Sequence, residues 1–226
     1  DRLVLSKVRA GFGGRPRLFP CAGAPLSAEI EEFFHSVGVF VCQGYGLTET
    51  SPVITVNGFG RARFGTVGKP VPGVEVKIAA DGEILTRGPN VMKGYYNKPE
   101  ATAEVLSPDG WFSTGDIGKL DADGYLWITD RKKDIIVTAG GKNIAPQPIE
   151  NLVKTNSFVL SAVMIGDKRK YPIMLVVPNM ETLRKWAESE GMTGRTDTAL
   201  LSDIVVHNRL TGEIKKTLRD LAQYEM

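Results

Sequence analysis

The stretch Gln43-Gly44-Tyr45-Gly46-Leu47-Thr48-Glu49-Thr50 gathers the densest set of groups able to do chemistry in this sequence. Its glycines let a backbone come close to a ligand. Tyr45 offers a ring face for stacking on a base, Thr48 a hydroxyl for a phosphate oxygen, and Glu49 a hard oxygen for Mg²⁺. An apolar run, Val39-Phe40-Val41-Cys42, precedes it and reads as a buried strand. Ligands of α/β sheets collect at the carboxyl ends of strands. Taken alone, the stretch is equally well read as an ordinary strand-to-loop turn. Other familiar chemistry is missing. Gly68-Lys69 is followed by Pro70 and preceded five positions back by Arg63, so it is no Walker-type phosphate loop. Gly11-Phe12-Gly13 meets Pro16 where a dinucleotide fingerprint needs glycine. No G-x-S-x-G elbow occurs. The histidines, His35 and His207, are far apart, which speaks against a zinc site or a histidine-based triad.

The elements that must position these residues follow a β-α-β rhythm over residues 1–60. Leu3, Val4, Leu5 and Val8 form a helical stripe that stops at Gly11, Gly13 and Gly14. Leu18 to Cys21 reads as a short strand. Ser27 caps a helix running through Phe34, with Glu29, Glu31 and Glu32 near its positive end, and Gly38 closes it. This rhythm reads as part of a layered α/β domain. Residues 61–129 change to paired strands. Val74 to Ile78 and Glu83 to Arg87 flank Asp81-Gly82, a strong hairpin signal; Ile117 to Leu120 and Tyr125 to Thr129 flank Asp121 to Gly124. They read as a small β-barrel or sandwich subdomain. Residues 130–226 form a third, α+β unit. Asp130 to Asp134 is a charged break and a candidate hinge, followed by a strand at Ile135 to Thr138 and a helix opened by Pro148. A hairpin of Val159 to Ile165 with Ile173 to Val177 encloses a basic loop, and helices follow near 180–190 and over 198–224, the last with Leu210, Ile214, Leu218 and Leu221 on one face. Trp111, Trp127 and Trp186 read as core residues.

With 226 residues, 28 basic against 26 acidic side chains and 42% hydrophobic residues, the chain reads as an ordinary folded protein. The net charge of +2 is too balanced to argue for nucleic acid. The basic excess lies in the second part, where Arg131 to Lys133 and Lys168 to Lys170 cluster: solvated faces, or attraction for a phosphorylated ligand. Cys21 and Cys42 read as reduced thiols of a cytoplasmic protein. No apolar run is long enough to span a membrane and no signal-peptide pattern opens the chain. Asp1 in place of Met reads as the start of an excised piece.

Several motifs occur in a fixed order: Gly44 to Glu49, Gly82-Glu83-Ile84 with Gly94-Tyr95-Tyr96, Ser113-Thr114-Gly115-Asp116, and Asp130-Arg131-Lys132-Lys133-Asp134 with Gly140-Gly141. That order resembles the adenylate-forming superfamily of acyl-CoA synthetases, peptide-synthetase adenylation domains and luciferases. The segment from Ile128 to Glu150 most resembles long-chain fatty acid–CoA ligases, an acid–thiol ligase class. The resemblance implies a two-step reaction. A fatty acid carboxylate attacks the α-phosphate of Mg·ATP to give acyl-AMP and pyrophosphate, and the CoA thiol then takes the acyl group. It further implies that residues 1–60 are the end of a large α/β adenylating domain, and that Thr48 and Glu49 serve phosphate and Mg²⁺, with Glu49 the metal ligand. Tyr45, within Gly44 to Gly46, would stack on adenine, and Gly23-Ala24-Pro25 would line the adenine side. Asp116 would hold the ribose hydroxyls and Arg131 would contact the ribose. Lys133 would be the hinge about which a mobile C-terminal lid domain turns, and Gly140, Gly141 and Lys142 would form the CoA-side loop. The implied partners are ATP or AMP, fatty acid and CoA, with peripheral membrane contact compatible.

The resemblance also leaves gaps. The family's Ser/Thr/Gly-rich phosphate loop, most of its acyl pocket and its C-terminal lysine have no counterpart here; Thr211 to Lys216 sits inside a helical pattern. The chain therefore reads as the C-terminal part of a ligase, inactive by itself. Rival readings are a fatty acyl-AMP ligase or aryl-CoA ligase, told apart by acceptor and substrate, and a non-catalytic adenylate-binding module, which would bind nucleotide without releasing pyrophosphate. A mixed α/β interaction domain is the plainest alternative.

Overall fold

The structure, a computed structural model, describes residues 2–15, 17–219 and 221. The chain divides into two compact units, Asp1–Lys132 and Lys133–Met226.

In the first unit, helix α1 (Arg2–Gly11) leads to strand β1 (Phe19–Cys21), helix α2 (Ala28–Ser36) and strand β2 (Val41–Gly46). The Ser27 hydroxyl caps α2 by accepting the Ile30 N–H, as its sequence position suggests. Gly38, at φ +79°, takes the left-handed turn that ends α2. The Val39 N–H is then spent on the Phe34 carbonyl at 2.9 Å, so β2 begins at Val41 and not at Val39 as expected. β1 and β2 run parallel, Cys21 opposite Gln43, and Cys21 and Cys42 are free thiols. β3 (Val53–Val56) and β4 (Lys69–Pro70) extend the sheet antiparallel.

A second sheet is an antiparallel meander of β5 (Glu75–Ile78), β6 (Glu83–Arg87), β7 (Phe112–Leu120) and β8 (Leu126–Arg131), with helix α3 (Pro99–Val105) between β6 and β7. The expected hairpins are present, Val76 opposite Thr86 and Lys119 opposite Trp127. Tyr45 and Ile54 of the first sheet share one core with Val67, Val74, Ile84 and Leu126, so the two sheets close as a half-barrel. Ile54, Ile84 and Leu126 are wholly buried, each contributing about 1.5–3 kcal/mol. Three expectations need correction. Ser113 to Asp116 lies inside β7, and Asp130 and Arg131, expected in a charged break, are paired residues of β8; ladder pairing extends both strands beyond their apolar runs. Trp111 and Trp127 are half-buried, whereas Trp186 packs against the core of Leu183, Ala187 and Leu200. Lys77 and Arg87 lie over the Trp111 ring and Lys119 over Trp127, a cation–π arrangement that needs one ring face at the surface.

The second unit opens with β9 (Ile136–Val137) paired to β10 (Asn143–Ile144), then α4 (Pro146–Lys154), β11 (Val159–Ile165), β12 (Ile173–Pro178), α5 (Met180–Ser189), α6 (Asp197–Leu201) and α7 (Ile204–Leu218). α4 starts two residues before Pro148, because Pro146 already occupies its first turn. The long helix expected over 198–224 is two helices: the Asp203 carboxylate accepts the Val205 N–H at 2.8 Å and caps α7 as a new start. Residues 220 and 222–224 of that expectation lie outside the described residues. One face of the β11–β12 hairpin packs Val159, Ala162 and Met164 against α4 and α7; Val163, Ile165, Ile173 and Leu175 are exposed on the other. Among the described residues no helix is long and apolar enough to cross a membrane.

Candidate active site

β1 and β2 are parallel neighbours, so the exposed Gly23-Ala24-Pro25 loop leaves the same end of the sheet that β2 reaches at Gly46. Gln43 to Gly46 is strand rather than loop. Its glycines are explained by a neighbouring strand: a Cβ on Gly46 would sit 1.6 Å from the Pro52 carbonyl oxygen, and one on Gly44 3.3 Å from that of Thr55. What comes close to them is the protein's own backbone, which replaces the expected reason for these residues.

Tyr45 is 8% exposed and its ring belongs to the half-barrel core. Its hydroxyl donates to Asp116 Oδ2 at 2.6 Å. Burial first, and then the neighbouring Asp116 carboxylate, push the Tyr45 phenol well above its ordinary pKa, so it remains a donor. Asp116 is 5% exposed, and its Oδ1 lies 3.5 Å from Arg131 Nε on the facing strand. Tyr45, Asp116 and Arg131 are thus brought into one contacting set.

Thr48-Glu49-Thr50 forms a single 3₁₀ turn just past β2. Thr50 is fully buried and its hydroxyl accepts the Leu47 N–H at 3.0 Å, fixing the turn. Thr48 is exposed and Glu49 half-buried. The Tyr95 hydroxyl donates to Glu49 Oε1 at 2.9 Å, and the Met92 N–H to the Glu49 carbonyl at 2.7 Å. Tyr95 joins the candidate site through Glu49, a contact the sequence did not reveal; its place in the Gly94-Tyr95-Tyr96 motif was the signal. The Glu49 carboxylate raises the Tyr95 phenol pKa through that hydrogen bond. Among the described residues no three His, Cys, Asp or Glu side chains converge on a metal site. A single held carboxylate fits Mg²⁺, which takes its remaining ligands from phosphates and water.

Lys133 and the Gly140-Gly141-Lys142 loop belong to the second unit, and all are exposed there. The loop joins β9 to β10. Gly141 adopts φ +76°, its N–H donates to the Thr138 carbonyl at 2.8 Å, and the Lys142 N–H donates to the Thr138 hydroxyl at 3.2 Å. The Ala139 N–H donates to the Arg169 carbonyl at 2.8 Å, joining this loop to the basic turn at Lys168 to Lys170.

Residues 3–96 match the family described as AMP-binding enzyme, and residues 133–206 match the AMP-binding enzyme C-terminal domain. The long-chain-fatty-acid–CoA ligase FadD15 of Mycobacterium tuberculosis is 41% identical over 219 residues, covering 97% of this chain and 36% of the relative. The human long-chain-fatty-acid–CoA ligase 1 is 38% identical over 207 residues, covering 86% of this chain and 30% of its own length. The chain therefore spans about a third of these curated relatives. Among solved structures, the o-succinylbenzoate CoA synthetase (MenE) of Bacillus subtilis in complex with its acyl-adenylate intermediate superposes with a TM-score of 0.75 at 29% identity, covering 100% of this chain and 44% of that one. The same enzyme with ATP and a magnesium ion gives 0.72 at 29% identity, covering 99% and 45%.

Proposed function

The chain belongs to the AMP-binding enzyme family, and on that premise we propose that it is the nucleotide-binding and C-terminal part of an ATP-dependent long-chain fatty acid–CoA ligase. In the first step the fatty acid carboxylate attacks the α-phosphate of ATP, the bond to the β-phosphate breaks, and acyl-AMP and pyrophosphate form. In the second the CoA thiolate attacks the acyl carbonyl and AMP leaves.

The Tyr45–Asp116–Arg131 set carries this reading. The Asp116 carboxylate, held by the Tyr45 hydroxyl on one oxygen, accepts both ribose hydroxyls; charge-assisted bonds of this kind are about twice as strong as neutral ones. Arg131 donates to the ribose from the facing strand. The backbone of Gly23 to Pro25 lines the adenine; Tyr45, whose ring packs in the half-barrel core and so corrects the stacking role expected of it, acts through its hydroxyl on Asp116. The Thr48 hydroxyl donates to a phosphate oxygen, and Glu49 holds Mg²⁺, which when bound neutralises the leaving pyrophosphate. Lys133 is the hinge about which the C-terminal unit turns between the two steps. Gly140, Gly141 and Lys142 then flank the pantetheine of CoA. The free thiols Cys21 and Cys42 suit a cytoplasmic protein, and its acyl substrate makes peripheral membrane contact part of the proposal.

Calorimetric titration of the chain with AMP and with 2′,3′-dideoxyadenosine monophosphate tests the reading. AMP is expected to bind at least about tenfold more tightly, the worth of one charge-assisted contact, and Asp116→Asn to abolish the difference. Equal binding of the two nucleotides, or a preference that survives Asp116→Asn, would overturn it.

A further inference from the structure

The β6–β7 ladder is interrupted beside Asp116. Leu85 pairs with Ser113 and Glu83 with Ile117, so β7 carries two more residues than β6 over that span. Such a bulge re-aims the strand's side chains and strips backbone groups of their ladder partners. Several groups around the bulge have partners outside the β6–β7 ladder. The Thr114 hydroxyl donates to the Ile84 carbonyl at 2.8 Å. The Gly115 carbonyl accepts the Lys132 N–H at 2.8 Å. The Gly115 N–H donates to Glu83 Oε1 at 2.9 Å. The other oxygen of Glu83, which is 8% exposed, accepts the Lys132 ammonium at 2.8 Å, and that ammonium also reaches Asp81 Oδ2 at 2.7 Å. One carboxylate therefore grips the residue before Asp116 and the residue after Arg131.

We infer that Glu83 and Lys132 are positioning residues for nucleotide binding: they lock the β7 bulge and the end of β8 so that Asp116 and Arg131 meet the ribose hydroxyls as a preset pair. The inference rests on the reading of Asp116 and Arg131 as ribose contacts. The neighbourhood is built for a fixed charge. Asp81 and then Glu83 hold the Lys132 ammonium well above the ordinary lysine pKa, and Asp81 is held below the carboxylate range chiefly by Lys132. Asp81 serves twice, its other oxygen accepting the Glu83 N–H at 3.2 Å. A hydrogen-bonded carboxylate on rigid strands aims a neighbouring side chain better than a loop does.

Three variants of the chain test this: Lys132→Met, Glu83→Gln, which keeps an acceptor for Gly115 but loses the charge, and the pair together. Two measurements are made on each: the affinity ratio between AMP and 2′,3′-dideoxyadenosine monophosphate, and hydrogen exchange at the Gly115 amide. Thermal melting confirms that the variants are folded. Lys132→Met is expected to cut the preference for AMP from at least about tenfold towards unity, with dideoxy affinity unchanged, and to speed Gly115 exchange about tenfold. Glu83→Gln should fall between, and the double variant should be no worse than the worse single, because the groups act as one unit. A merely structural role would weaken both nucleotides alike and leave the ratio where it was; that result overturns the inference. So does unchanged Gly115 exchange in Lys132→Met. A wild-type chain with no preference for AMP overturns the ribose reading instead, and Gly115 exchange then decides by itself whether the clamp holds the bulge.

Discussion

A phenol held beside a buried carboxylate is the chemical centre of the first unit. Asp116 is 5% exposed, so an ionised carboxylate there depends on its partners. Tyr45→Phe removes one of them. The expected cost is about 1.5–3 kcal/mol in unfolding free energy, the range for a hydrogen bond to a charged group, read from urea melts with an unchanged m-value. The phenol also carries a pH signature. Its pKa is raised in the fold above the ordinary value near 10. The folded state therefore keeps the proton longer than the unfolded chain does. Its contribution is complete below pH 10 and is lost as pH rises beyond it; Tyr45→Phe should flatten that alkaline loss. Tyr95 acts on a different group. Its hydroxyl holds Glu49, the proposed magnesium carboxylate. In the whole protein, Tyr95→Phe should raise the Mg²⁺ concentration for half-maximal pyrophosphate release about tenfold, the low end for losing a group that orients a metal ligand. Conversion of supplied acyl-AMP to acyl-CoA should not change; if it falls equally, Tyr95 does not work through the metal site.

Elements turn these residues into a site by how they end and where they fail to pair. β2 delivers Tyr45 and, three residues on, the 3₁₀ turn that opens with Thr48 and Glu49. The β7 bulge delivers Asp116, and β8 delivers Arg131 opposite it. Helix α2 contributes from behind. Its Glu31 is 2% exposed, with Oε2 accepting the Gly65 N–H at 2.8 Å and Oε1 buried without a hydrogen-bond partner. The sequence placed Glu31 with Glu29 and Glu32 near the positive end of α2, and the fold buries it against the loop before β4. Burial raises its pKa above the ordinary 4.5, only partly offset by the Gly65 N–H. A carboxyl with a raised folded pKa favours the protonated form, so its presence costs stability increasingly as pH rises above 4.5. Glu31→Gln should therefore be more stable than the parent chain at pH 7.5, with the gap narrowing as pH falls to 4.5. A gap that widens on acidification would mean that the charged form is the one the fold prefers.

At the scale of the molecule, the boundary between Lys132 and Lys133 separates residues with different attachments. Lys132 is tied to the half-barrel through Glu83 and Asp81, while Lys133 is exposed. The proposed turning of the C-terminal unit would then begin at Lys133. A hinge residue has to absorb a change in φ and ψ, which proline forbids by holding φ near −65°. In the whole protein, Lys133→Pro should spare one half-reaction, with adenylation the expected survivor, and depress the other at least about tenfold. Acyl-AMP formation and acyl-AMP consumption assayed separately on the same variant decide this, and equal small effects on both would place the pivot elsewhere. The 226-residue chain by itself should bind AMP yet release no pyrophosphate from ATP and fatty acid. It carries no Ser/Thr/Gly-rich phosphate loop, and loss of each donor to a developing charge costs about 10²–10³ in rate. Measurable fatty-acid-dependent pyrophosphate release would sink that expectation.

Local signals were enough for much of the chain. The Ser27 cap, the Asp81-Gly82 turn and the alternating strands beside it are set by neighbours a few residues away, so they were legible without the fold. Motif order pointed to the family for the same reason: each motif is a short run. What joins the motifs was not legible. Tyr45 and Asp116 stand 71 residues apart, Tyr95 and Glu49 46, and Lys132 and Glu83 49. Their meetings depend on strand register, which pairing across the half-barrel decides and where a single extra residue would redirect every side chain. The same holds for the glycines of β2, which read as room for a ligand until the approach of β3 supplied another occupant. Residue types and spacing determined which chemistry this chain can do. Only the closing of one sheet over the other decided which carboxylate is buried and which phenol holds it, and only strand register within the second sheet set Lys132 beside Glu83 at the bulge.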